Sequence, residues 1–315
     1  MKHKRILSAL LAAAICLTSV QLNIAVSPTI SLTAYAEELT YTKVTENGVI
    51  YNVQPNCAVV AGYEEDLPGN VVIPETVNGV PVSSIGSSAF MYCNQIESIT
   101  LPDSVIEINS NAFDYCQKLS SVNIPASVTS IGYNAFAECR SLKAVTIPAS
   151  VNQIGSRVFS GCTSLESISV DSANQNYRSE DGVLFNHNKT ILMAYPTKKS
   201  DTAYTIPDSV TTISDCAFYG NHDLVSITIP DGLHDIGASA FEKCYRLDRI
   251  TLPLSVSFIG LQAFAYCVDL KELTILNDSC YISDDPYTII NDEHSEFGWI
   301  RTVTIRGYEG STAQE

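Results

Sequence analysis

The sequence predicts a mainly β repeat solenoid with β-rich caps at both ends, and three observations carry that reading. Phenylalanine recurs every 23 residues at Phe90, Phe113, Phe136 and Phe159, and again at Phe218, Phe241 and Phe264. Proline keeps the same step at Pro102, Pro125 and Pro148, then at Pro207, Pro230 and Pro253. Cysteine keeps it at Cys93, Cys116, Cys139, Cys162, Cys244 and Cys267. Three residue types held in phase mark an internal repeat, whose units bury their apolar groups only by stacking on one another.

Each unit follows from local chemistry. In Ile96-Glu97-Ser98-Ile99-Thr100-Leu101, Ile99 and Leu101 share one side and Ser98 and Thr100 the other, the alternation of a strand. The proline ends that strand because it cannot donate to a continuing ladder. Val105 and Ile108 supply a second apolar side, and the glycine that follows most of these isoleucines permits a corner. Ala-Phe closes the unit in a short helical turn, with the ring pointing inward. Burying one such ring contributes roughly 1.5–3 kcal/mol. Seven Ala-Phe-type sites and one enlarged unit predict about eight coils.

The cysteines on the beat admit two readings. Stacked strands lie about 4.8 Å apart, which does not itself exclude disulfides between neighbours. One copy, however, has Asn221 where cysteine is expected. An interchange of Cys and Asn fits reduced thiols at a small, buried, weakly polar position; disulfides or metal are the alternative. Cys57, Cys216 and Cys280 fall off the beat.

The ends break the pattern. Lys2, Lys4 and Arg5, the apolar run Ile6 to Val20 and the Ala34-Tyr35-Ala36 site form a secretory signal peptide over residues 1–36. Residues 37–70 read as an N-terminal β cap, with a hairpin around Glu46-Asn47-Gly48 and a third strand from Cys57 to Tyr63. The solenoid spans 71–274. Residues 275–315 form the C-terminal cap, with a strand at Ile300 to Ile305 and Trp299 packed over the last coil. Within the enlarged unit, about 171–206, Gly182-Phe185 and Thr190-Tyr195 flank a turn. That turn makes His187, Asn188 and Lys189 candidate contacts, a structural spacer being the alternative reading.

Units such as IPASVTSIGYNAFAECRSL and IPDGLHDIGASAFEKCYRL resemble the BspA-like leucine-rich-repeat family of bacterial surface and secreted proteins. The likeness covers roughly Val71 to Thr274. It implies a leucine-rich-repeat solenoid, an extracellular or cell-surface location, and a role in adhesion or protein recognition. The enlarged unit and the tail from Gly307 resemble recurrent family variants; in relatives that tail usually runs on, so the end at Glu315 is read as a possible truncation. The family motif carries no catalytic residues to transfer.

The chain has 315 residues, with 34 acidic against 18 basic ones and a formal charge of −16, which disfavours a nucleic-acid partner. His187, His222, His234 and His294 are widely separated, and neither a nucleophile elbow nor a phosphate-cradling loop is present. The cluster Asp284, Asp285, Asp292, Glu293 and Glu296 fits no EF-hand spacing and reads as solvated surface. No cofactor, metal or membrane insertion after leader removal is expected, and the chain is read as a monomer.

The outward strand positions are more informative. Thr100, Asn123, Thr146 and Thr228 lie on one file of small polar side chains, and Arg246, Arg249, Lys271 and Glu272 add charge in the later coils. The expectation is a non-enzymatic secreted or cell-surface protein that binds a host matrix or bacterial surface protein through this face. The alternative is an accessory binding module of a larger secreted hydrolase or multi-enzyme assembly.

Overall fold

The computed structural model describes residues 41–283 and the backbone strand Thr304–Arg306. The leader, Trp299, the acidic cluster from Asp284 to Glu296 and the tail from Gly307 lie outside the described residues.

A regular unit lays down one short strand before its proline and a two-residue strand after it, as in Ser98–Thr100 and Glu107–Ile108. Each stacks in parallel on its equivalent 23 residues away: Ile99 pairs with Val122, and Ile108 with Ile131 and then Ile154 through the chain of neighbours. Two ladders result. The first ladder holds ten strands, from Asn70–Val72 to Thr304–Arg306, in runs of three, two and five. The solenoid therefore has about ten turns rather than eight, because strand pairing continues beyond the last ring of the file, Phe264.

The rings form two stacked files. Successive centroids from Phe90 through Phe113 and Phe136 to Phe159 lie 5.4, 5.2 and 6.0 Å apart. The second file starts at Tyr195, whose ring lies 5.0 Å from Phe218, and continues through Phe241 to Phe264. Tyr195 thus takes the phenylalanine position in the enlarged unit. Its N–H donates to Ala217 as the Phe218 N–H donates to Ala240.

The expected short helical turn is a correction: no helix occurs among the described residues. Instead, residues two before and two after each phenylalanine of the files take left-handed backbone, for example Asn111 (φ 57°) and Tyr115 (φ 59°) around Phe113. Their N–H groups and that of the ring residue donate to the next coil: Asn111 to Tyr133, Phe113 to Ala135 and Tyr115 to Ala137. The intervening Ala112, Asp114 and Cys116 donate three residues back within their own coil. A helix would turn all these donors inward along its own axis and leave coil-to-coil pairing unmade, so the alternating backbone wins.

The thiols complete the same column. Cys116 Sγ donates to the Phe90 carbonyl at 3.0 Å, and Cys139, Cys162, Cys244 and Cys267 make the equivalent bond at 3.1–3.2 Å. At the variant position, Asn221 Nδ2 donates to Thr197 O, and its Oδ1 accepts from the N–H of Asp223 and Leu224. All six cysteines on the beat are free thiols, and burial pushes that of Cys267 up to about 12. We expect iodoacetamide at neutral pH to leave Cys116, Cys139, Cys162, Cys244 and Cys267 unmodified in the folded protein and to alkylate all five in denaturant, since the thiolate is the reactive form. Mass spectrometry of the native protein showing rapid modification of any of these five would contradict this packing.

Glycine after the second strand serves close approach. A Cβ on Gly132 or Gly155 would lie 2.4 Å from a main-chain nitrogen of the preceding coil. Neither glycine has left-handed backbone, so the corner itself does not demand it.

Three antiparallel strands, Thr42–Glu46, Val49–Val53 and Ala58–Tyr63, precede the coils, with Asn47 and Gly48 at positive φ in the first turn. Ala58–Tyr63 then pairs in parallel with Val80–Ile85 and hands the sheet to the second ladder. The enlarged unit contributes Tyr177–Glu180, Val183–Asn186 and Ile191–Ala194, which make two hairpins rather than one. The hairpin not expected turns at Asp181-Gly182, both at positive φ. This insertion interrupts both ladders and divides the apolar interior into two clusters, one reaching from Val49 to Ala194 and the other from Val183 to Cys280.

Candidate protein-binding face

Alternation sets the outer face of the first ladder. In Ala144–Ile147, Val145 and Ile147 are buried while Ala144 and Thr146 are exposed. Thr100, Asn123, Thr146, Ser169, Thr228 and Thr251 are likewise exposed, and Thr205 joins them opposite Thr228. Those residues share one surface file, with pairing Thr100 to Asn123, Thr146 to Ser169 and Thr251 to Thr274.

The charged residues of the later coils form a network. Arg249 lies 3.4 Å from Asp248 and 3.5 Å from Glu272, and Lys271 lies 2.5 Å from Asp248. Lys271 beside Asp248 holds that carboxyl below its usual range. Arg246 is exposed on the same coil. Such surface pairs contribute little to stability, so they remain available to exchange partners.

Pairing fails locally beside this network. Ser226–Thr228 and Arg249–Leu252 share the single register pair Ser226 and Arg249, whereas Arg249–Leu252 and Glu272–Ile275 share four. A shallow notch of about 320 Å³ opens there, between Thr228, Asp231, Arg249, Thr251, Pro253 and Leu276. The fold thus brings Thr228 and Arg249 together. Thr100, Asn123 and Thr146 lie on earlier coils of the same face.

The candidate turn in the enlarged unit lies elsewhere. Its strands belong to the second ladder's sheet, while Arg249 and Glu272 belong to the first ladder. Asn186 holds the turn through its Oδ1, which accepts the N–H groups of Thr190 and Ile191. His187 and Asn188 are exposed at the tip, and Lys189 is tied to Glu180 at 2.6 Å. It is the other hairpin that reaches the first ladder, where a Cβ on Gly182 would lie 3.1 Å from Ser167 Cβ.

Sequence reasoning missed Asp231 and Leu276 in the notch, and an aromatic pair on the second ladder. Phe258 and Tyr281 stack 5.9 Å apart, 37% and 60% exposed. They continue the outward position of Asp235 at the same 23-residue step, a signal readable along that ladder alone.

Parallel two-faced coils at a 23-residue step, with aligned apolar files, define a leucine-rich-repeat protein. The chain belongs to the family described as the BspA type leucine rich repeat region, whose model matches residues 71–190 and 194–291 in six copies. It is similar to a leucine-rich repeat protein from Eubacterium ventriosum, at 27% identity and a TM-score of 0.58, covering 75% of this chain and 73% of that one. It is also similar to the pneumococcal vaccine antigen PcpA, at 25% identity and a TM-score of 0.54, covering 76% and 82%. Comparison with curated proteins returns no match.

Proposed function

We propose that this is an exported, non-enzymatic recognition protein that binds a protein partner through the outer face of the first ladder, centred on the notch beside Arg249. The observation that carries the reading is the coincidence of an exposed polar file, a local failure of strand pairing and an exchangeable charge network on one face. A partner with alternating acidic and basic side chains would substitute its own charges for the internal pairs, with complementarity serving specificity and association rate. Small hydroxyl side chains without stacking rings favour a protein surface over a glycan or a nucleic acid. The basic start and apolar run of the leader support export, and the antigen role of the pneumococcal relative supports an extracellular location.

Immobilised protein is expected to bind a purified matrix or bacterial surface protein saturably, with affinity at least tenfold lower for the Arg246→Ala/Arg249→Ala variant. Surface plasmon resonance reads both. Equal affinity of the double variant for every partner found would remove the notch from the reading.

A further inference from the structure

Two coil positions immediately after a ring hold deeply buried carboxylates: Asp114 after Phe113, and Glu242 after Phe241. Their surroundings differ. Glu242 has an ammonium beside it, Lys243 Nζ at 3.4 Å. That ammonium also bonds the Tyr219 hydroxyl and lies 4.6 Å from the Tyr219 ring centroid and 5.9 Å from that of Tyr266. A carboxylate and two tyrosine rings thus hold one lysine head, combining ion pairing with the attraction of a cation to aromatic faces.

At Asp114 a carboxylate and two rings again lie close, though Met91 and Glu138 stand where Tyr219 and Tyr266 do, and there is no ammonium. Tyr92 and Tyr115 lie 4.9 Å apart, and Tyr92 is 56% exposed. Asp114 is 5% exposed, and its Oδ1 is buried without a hydrogen-bond partner. The charge that bears on it is a second carboxylate: burial first, and then Glu138, push Asp114 up to about 6. Arg140 occupies Glu138 Oε2, with Nη2 and Nε each at 3.0 Å. Tyr115 stands where Lys243 stands in the other coil, with nearly the same backbone, φ 59° against 61°. A buried, unpaired carboxylate oxygen is costly unless a partner supplies a donor.

We propose that the turn edge formed by Tyr92, Asp114, Tyr115 and Glu138 binds a primary ammonium group, presented as a lysine side chain by a protein partner. Lys243 is the internal template for the bound state. The exposed Tyr92 ring is the wall that turns aside to admit the head, and Asp114 Oδ1 and Glu138 Oε1 receive its protons. An acidic chain, with 34 carboxylate residues against 18 bases, would draw a basic partner toward this edge at long range. The edge lies in the turn column, away from the strand face that carries the Arg249 notch, and the two sites stand or fall separately.

The test is an NMR titration of the full chain with acetyl-lysine-amide, following the Asp114 carboxyl and the Tyr92 and Tyr115 ring signals. Saturable shifts at these three residues are expected, with the Asp114 titration drawn down toward the ordinary carboxylate range. Asp114→Asn should weaken binding at least tenfold, and Tyr115→Lys, which supplies the ammonium in cis, should abolish it while raising the Tm. The Nε-acetylated analogue should not bind. Equal response to that analogue, or equal loss on changing the distant Glu97→Gln, would overturn the proposal. So would a response to calcium chloride but not to the lysine probe, which would make the edge a metal-ion site instead.

Discussion

Replacing Phe136 with alanine is expected to lower stability by about 3–5 kcal/mol, the range for removing a fully buried aromatic ring from a tight core. Phe136 is 0% exposed, and its ring lies 5.2 Å from Phe113 and 6.0 Å from Phe159. The neighbouring coils are fixed at strand spacing by main-chain bonds from Phe113 to Ala135 and from Phe136 to Val158, so they cannot close onto the void. Urea unfolding followed by circular dichroism measures the change. A loss below about 1 kcal/mol would mean that the ring file is a spectator of folding, contrary to the share that buried apolar area normally contributes.

The Gly132→Ala variant is expected to cost about 1–3 kcal/mol, the usual penalty of overpacking, although only one methyl group is added. The new carbon would lie 2.4 Å from Ser110 N and 2.7 Å from Asn109 C, and main chain cannot swing aside as a flexible side chain does. Gly79→Ala is the control. Gly79 sits at φ +77° with nothing within 4 Å of the added carbon, so its cost of roughly 1 kcal/mol is conformational alone. Thermal melts of the two variants separate the causes. A Gly132→Ala protein as stable as the parent would show that adjacent coils are not held as closely as the main-chain bonds require.

How far these features were legible depended on the range of their causes. The files of Phe, Cys and Pro, and the alternation around Ile99, are written into neighbouring residues, so the solenoid and its two apolar sides could be read directly. The turn around Phe113 could not. Ser88, Arg157 and Lys243 all adopt left-handed backbone although none is a residue type that favours it, because the bonds to the next coil impose it. Only Asn111, Asn134, Gly161 and Gly220 hinted at it. Glycine after the second strand was legible as a requirement but not as a contact, since the clashing atoms lie 22 residues earlier. The Asp181-Gly182 turn carries a recognised hairpin dipeptide. On the candidate face, polarity followed from alternation, whereas the notch arises from strand pairing lost beyond Ser226 and Arg249. The burial of Asp114 was hidden because a carboxylate directly after a ring reads as loop.

The bonds of the turn column also give one side of each coil an electrical direction, which the opposite corner reverses. From Ser88 to Ser110, Phe90 to Ala112 and Tyr92 to Asp114 onward, these N–H groups point toward the C-terminal coils and the matching carbonyls toward the N-terminal ones. The corners run the other way, with the N–H groups of Asn109, Thr129 and Gly132 donating back to Ile85, Ile106 and Ile108, so peptide dipoles of about 3.5 D each largely cancel along the stack. Neither end of the array therefore gathers a pole as a helix terminus does. Adding repeats would lengthen the surface without building up a field along its axis, so reach can grow while long-range attraction is left to the charged side chains.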